Sequence, residues 1–154
     1  IMNRALTAQQ SAVSKFSGTV DKYIGDAMMA IFGAPLDLED HEDKALECAK
    51  QIALNMEELN VEFGARGLPP IKIGIGINSG EAIVGNMGSE QRFDYTAIGD
   101  AVNIAARLES GTKAAGVDVL IGASTEQRTS IGLKALPAIE AKGKAEKLNV
   151  YTFK

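Results

Sequence analysis

Three pairs of side chains have types and spacing that could do chemistry. The first, Lys22 and Asp26, lies in Gly18–Pro35, GTVDKYIGDAMMAIFGAP. There the β-prone runs Thr19–Ile24 and Ala27–Phe32 flank Gly25-Asp26. Two runs joined by two residues, glycine first, predict a hairpin closed by a type II′ turn. Side chains alternate along a strand, so Val20, Lys22 and Ile24 should share a face. With Gly25-Asp26 as the loop, Lys22 falls opposite Met29 and Val20 opposite Ile31. That places a lysine on an otherwise apolar face and an aspartate at the tip. By itself the pattern is met by a hairpin with a snorkelling lysine and a turn-forming aspartate. The second pair, Asn103 and Arg107, is four residues apart and shares a face of any helix formed there. From helix spacing alone, a solvated polar stripe accounts for it better. The third, Lys142 and Lys144, brackets a glycine in a polar turn.

The elements that must position these residues can be read in order. Asn3–Phe16 carries Leu6, Val13 and Phe16 at roughly helical spacing, and Ser17-Gly18 ends it. After the hairpin, Asp37–His41 is an acidic helix start, which the positive N-terminal dipole favours. To about Phe63, Ala45, Cys48, Ala49, Ile52, Ala53, Met56 and Leu59 recur at steps of three and four, predicting a long amphipathic helix. Gly64–Pro70 is turn-rich. Ile71–Asn78 alternates between isoleucines on one face and Lys72, Gly74, Gly76 and Asn78 on the other. The bare face would admit another backbone closely. Asn78-Ser79-Gly80 reads as a turn, and Glu81–Gly85 as the return strand of a second hairpin. The glycines resemble a nucleotide-binding loop only superficially, since that fingerprint needs a strand before it and a helix after it. Arg92–Ile98 is extended, and Asp100 is a good N-cap for a helix from Ala101 to about Ser110. Val117–Ile121 is a strand, Ser124–Ser130 a short helix, and Leu133–Ile139 and Leu148–Phe153 are strands around Lys142-Gly143-Lys144. This order predicts an α+β fold, an antiparallel-rich sheet with helices mainly on one face.

The 154 residues suit a single domain with a sizeable core. Apolar residues make up 45% and charged residues 23%, and the net charge is −4. No basic stretch stands out, which argues against a nucleic-acid partner, although a local basic pocket for a phosphorylated ligand is compatible with that balance. The single cysteine, Cys48, lies on the long helix and is expected in the core, and one thiol suits a reducing, cytoplasmic setting. His41, the sole histidine, is expected at the surface. No apolar run is long enough to span a membrane.

Taken together, VDKYIGDAMMAIFGAP, INSGEAIVGNMGS and FDYTAIGDAVNIAARLES resemble the class III nucleotidyl cyclases, the adenylate/guanylate cyclase catalytic domain. KGKAEKLNVYTF resembles that family's closing segment. The resemblance implies a ferredoxin-like core that pairs head-to-tail as a homodimer. It implies active sites made by both subunits, where a nucleoside triphosphate is cyclised with release of pyrophosphate by two divalent ions, Mg2+ or Mn2+. Asp26 matches a metal-binding aspartate, and an oxygen ligand at a hairpin tip suits those ions. Lys22 and Thr96 match the base-reading positions. A lysine with a threonine there is similar to bacterial adenylate cyclases, which act on ATP, whereas guanylate cyclases place a glutamate and a smaller residue. Asn103 and Arg107 match the pair that orients the ribose and neutralises the reacting phosphate. Lys142, with Lys144 as the near alternative, matches the lysine for the terminal phosphates, and Arg92 a phosphate-binding arginine.

One departure stands beside these matches. The family carries another metal-binding aspartate in a pattern like F-x-D-I-x-x-F, upstream of the first helix, and no such segment occurs here. Residues 1–154 are therefore expected to form one cyclase catalytic domain, N-terminally truncated, lacking the first strand and part of the first helix. The expected function is adenylate cyclase, a phosphorus-oxygen lyase making 3′,5′-cyclic AMP for intracellular signalling, with an upstream sensor or regulatory domain that could anchor it at the membrane. A guanylate cyclase or a non-catalytic module that dimerises or binds nucleotide is the alternative.

Overall fold

The protein is described by a computed structural model covering residues 2–24, 27–34, 37–81, 83–87, 94–140 and 147–154. Its contacts group into two compact units, Ile1–Ile73 and Gly74–Lys154.

The first unit is built from α1 (Met2–Lys15), β1 (Thr19–Ile24), β2 (Ala27–Ile31) and α2 (His41–Ala65). Leu46, Ala49, Ile52, Met56, Leu59 and Phe63 form the buried stripe of α2, at the steps of three and four its sequence shows. Ala5, Ala12 and Val13 of α1 are buried as well, and α1 packs on α2. Polar rungs fix this pair as antiparallel. Arg4 donates to Glu62 at 2.6 Å, Asn55 Nδ2 to the Ala8 carbonyl at 3.4 Å, and Lys15 Nζ to Gln51 Oε1 at 3.1 Å. Cys48 is in the core as expected, and burial pushes its thiol pKa up to about 11. His41 is only half-exposed. Its ring lies against Gly33, and its Nε2 is 3.1 Å from the carboxylate of the buried Glu42.

The hairpin forms where expected, with one change of register. Lys22 pairs with Met29 as anticipated, but Val20 pairs with Ala30, not Ile31, and Thr19 takes Ile31. A β-bulge at Asp21 supplies the extra residue. Met29 and Ala30 are neighbours and point to opposite faces, so Val20 and Lys22 do too. Lys22 keeps Ile24 on its face and loses Val20.

The second unit contains β3 (Ile75–Ile77), β4 (Ile83–Met87), β5 (Asp94–Ile98), α3 (Asp100–Ala115), β6 (Val119–Gly122), α4 (Ala123–Glu126), β7 (Leu133–Glu140) and β8 (Lys147–Phe153). Its main sheet has the order β3-β6-β8-β7. β3 is parallel to β6, and β8 is antiparallel to both β6 and β7. Leu108, Leu120 and Val150 form the buried centre, with Ile104, Leu136, Ile139 and Leu148 packed around it.

Two strand expectations change here. The strand expected over Ile71–Asn78 is shorter, Ile75–Ile77, and at Ile71 both backbone groups are taken by the Asn60 side chain instead of a strand. Ile71 N donates to Asn60 Oδ1 at 2.8 Å, and Asn60 Nδ2 donates to the Ile71 carbonyl at 2.9 Å. The expected second hairpin is also redrawn. β3 does not turn back onto the following strand. It pairs with β6, while β4 pairs antiparallel with β5. At the end of β3, Asn78 and Ser79 are bonded to residues of α4 and α3 rather than folded into a tight turn. The bare face of Ile71–Asn78 does receive a backbone: a Cβ at Gly76 would strike the Ala105 carbonyl and lie 3.0 Å from Glu109 Cα. A Cβ at Gly74 would strike the Thr112 hydroxyl.

Candidate active site

Lys22 is exposed on β1, in the first unit, beside Ile24, which is 60% exposed. The ladder around it closes at Ile24–Ala27, the pair flanking positions 25 and 26. A bulge increases local twist, and Lys22 is the residue that follows it. Asp26 lies outside the described residues, as do Arg92, Lys142 and Lys144. Thr96 is in β5, its backbone paired with Gly85.

Asn103 and Arg107 are the two predicted residues that the described structure brings together, one turn apart on α3 in the second unit. Ile104, Leu108 and Ala115 direct the adjacent side of that helix into the core. Asn103 is exposed and Arg107 half-buried. Ala105, Glu109 and Thr112 meet the glycine face of β3. The amide and the guanidinium therefore stand on the side left uncovered by core and sheet. α3 begins one residue earlier than expected and runs five residues further than Ser110. Gly99 takes the N-cap position, and Asp100 is the first helical residue instead of the cap.

The start of α3 is tied to the end of β3 and to α4. Asn78 Nδ2 donates to the Ala101 carbonyl at 3.1 Å. Ser124 Oγ lies 2.9 Å from Asn78 Oδ1 and 2.7 Å from the Ser79 carbonyl, and its one proton serves one acceptor at a time. Ser79 N donates to Ser124 Oγ at 3.3 Å, and the Ser79 hydroxyl is 2.7 Å from that of the fully buried Thr125. A Cβ at Gly122 would strike Asn78 Oδ1, and one at Gly80 would come within 3.0 Å of Ala101 Cβ. Sequence reasoning treats Asn78 as a turn residue and misses this role. The available signal was an amide side chain ending a strand whose preceding glycines admit a helix.

Among the described residues, no group of three or more His, Cys, Asp or Glu is gathered to hold a metal. Among the same residues, no helix is long and apolar enough to cross a membrane.

The antiparallel-rich α+β fold is that of the class III cyclase domains. The family model for the adenylate and guanylate cyclase catalytic domain matches residues 3–154, and the chain belongs to that family. It is 35% identical over 166 residues to the adenylate cyclase of Anabaena cylindrica, covering 99% of this chain and 31% of that protein. Among solved structures, the adenylyl cyclase CyaB from P. aeruginosa is similar at a TM-score of 0.82 and 30% identity, covering 97% of this chain and 78% of that one. A bacterial light-regulated adenylyl cyclase is similar at 0.84 and 30%, covering 99% of this chain and 44% of that one.

Proposed function

We propose that this chain is the catalytic domain of an adenylate cyclase, both units acting as one domain that converts ATP to 3′,5′-cyclic AMP and pyrophosphate. The observation that carries the proposal is the presentation of Asn103 and Arg107 one turn apart, on the side of α3 that neither core nor sheet covers. In the reaction the ribose 3′-oxygen bonds to the α-phosphorus and gives up its proton. The bond from that phosphorus to the bridging oxygen breaks, and pyrophosphate leaves. Arg107 would hold the charge that builds on the α-phosphate, and a guanidinium suits that task because it stays protonated and presents a planar fork of donors. Asn103 would orient the ribose, and Lys142 and Arg92 would bind the phosphates.

Lys22 and Thr96 would read the base. An ammonium only donates, and adenine presents an acceptor at N1, where guanine presents a donor. The exposed Lys22 beside the Asp21 bulge supports adenine as the base. Asp26 has the hard-oxygen chemistry that Mg2+ or Mn2+ takes, and two such ions would supply Lewis-acid polarisation of the α-phosphate. A head-to-tail homodimer would complete each site from two copies, under the control of an upstream sensor domain.

The test is to express the gene's entire reading frame and assay it with Mn2+ and either ATP or GTP. Cyclic AMP from ATP is expected, and Arg107→Ala or Asp26→Ala should lower turnover by at least about a hundredfold. Turnover of GTP in preference to ATP would reassign the substrate. No cyclic nucleotide from either would leave a non-catalytic, nucleotide-binding or dimerising module.

A further inference from the structure

We infer that Asn78 is a positioning residue for the reaction, setting the first turn of α3 and through it the Asn103 amide. The inference rests on the cyclase reading. Gly99 has no side chain with which to cap α3, and the first turn closes on long backbone bonds, Val102 N and Asn103 N each 3.2 Å from the Gly99 carbonyl. Asn78 reaches this turn from the end of β3 and donates to the Ala101 carbonyl, whose second lone pair is available beside its helical bond. Only one orientation of the amide satisfies both neighbours. Ser124 can donate to Oδ1, and a flipped amide would set its oxygen against the Ala101 carbonyl oxygen. Gly122 leaves room for that oxygen where a Cβ would not. Asn78 thus joins the ends of three elements, β3, α3 and α4.

The two residues on α3 depend on this anchor unequally. Arg107 precedes Leu108, which is fully buried, so the core fixes its place. Asn103 precedes Ile104, which is only partly buried against that core, and lies two residues beyond Ala101, in the turn that Asn78 holds. A small displacement of a positioning group costs rate more than binding.

The test uses Asn78→Asp, which keeps the acceptor for Ser124 but loses the donor to Ala101, and Ser124→Ala, which frees the amide to turn. In the full reading frame with ATP, Asn78→Asp should lower kcat about tenfold with KM within about twofold, and Ser124→Ala about threefold. Ser124→Thr, which keeps the hydroxyl, should restore the rate. In an Asn103→Ala background, Asn78→Asp should cost less than about twofold, because the group it positions is gone. A folded Asn78→Asp enzyme with unchanged kcat would overturn the inference. So would a full penalty persisting without Asn103, or a loss that follows melting temperature alone. Where Asn78→Asp does not fold, Ser124→Ala in both backgrounds decides by the same criteria. A parent enzyme that makes no cyclic nucleotide removes the cyclase reading and this inference together; an active parent with an indifferent Asn78 removes the inference only.

Discussion

The β1–β2 hairpin and the seat of α3 carry candidate site residues in opposite ways. The hairpin is local, its partners a few residues apart in sequence, and its end is open: Tyr23 is 47% and Ile24 60% exposed. The seat of α3 is assembled from distant segments. Backbone meets backbone at Gly76, Leu108 is buried in the core, and Asn78, Ser124 and Ala101 share one hydrogen-bonded junction. An exposed side chain on the hairpin, such as Lys22, can therefore change with little effect on folding. A change beneath α3 alters stability and geometry together.

Three substitutions test that contrast. The largest effect is expected beneath the helix. Gly76→Val forces a side chain into the backbone of α3 and should cost about 3 kcal/mol or more, read as a lower melting temperature with loss of any cyclase activity. A variant that melts like the parent would refute the close approach. Next comes Lys22→Glu. It should lower kcat/KM for ATP by about a hundredfold while leaving stability within about 0.5 kcal/mol. A large fall in melting temperature would mean that the hairpin is no more independent than the seat.

The smallest effect belongs to the α1–α2 rung. The Arg4 guanidinium holds the Glu62 carboxyl below its ordinary value. A depressed carboxylate stabilises the fold above its unfolded pKa, and the contribution is lost as pH falls through the folded one. Both groups are exposed, so Glu62→Gln should shift melting only slightly near neutral pH. The difference should vanish on acidification below the ordinary glutamate range. A difference that grew on acidification would refute the pairing.

Regular local patterns were legible in the sequence. The stripe of α2 could be read because burial repeats at helical steps from Leu46 to Phe63. The hairpin could be read because Gly25-Asp26 sits between two β-prone runs, and the bare face of β3 because its glycines alternate with isoleucines. The features that were not legible depend on contacts distant in sequence. Asp21 as an extra residue leaves no mark on the alternation. The parallel pairing of β3 with β6 is set by a crossover, not by the residues after Asn78. Of the candidate site, Asn103 and Arg107 share a face as their spacing requires, Lys22 kept its partner Met29, and Thr96 fell in a strand. The role of Asn78 is not legible, because in sequence an amide that bonds to a distant helix looks like any turn asparagine.

The position of β8 has a consequence for how the molecule is made. It lies between β6 and β7, yet both of those precede it in the chain. During synthesis β6 and β7 must wait, each with an unpaired edge, until β8 emerges from the ribosome. Val150, part of the core beneath α3, arrives with it. Docking of the helix that presents Asn103 and Arg107 is thus completed late, and until then the nascent chain depends on avoiding other strands.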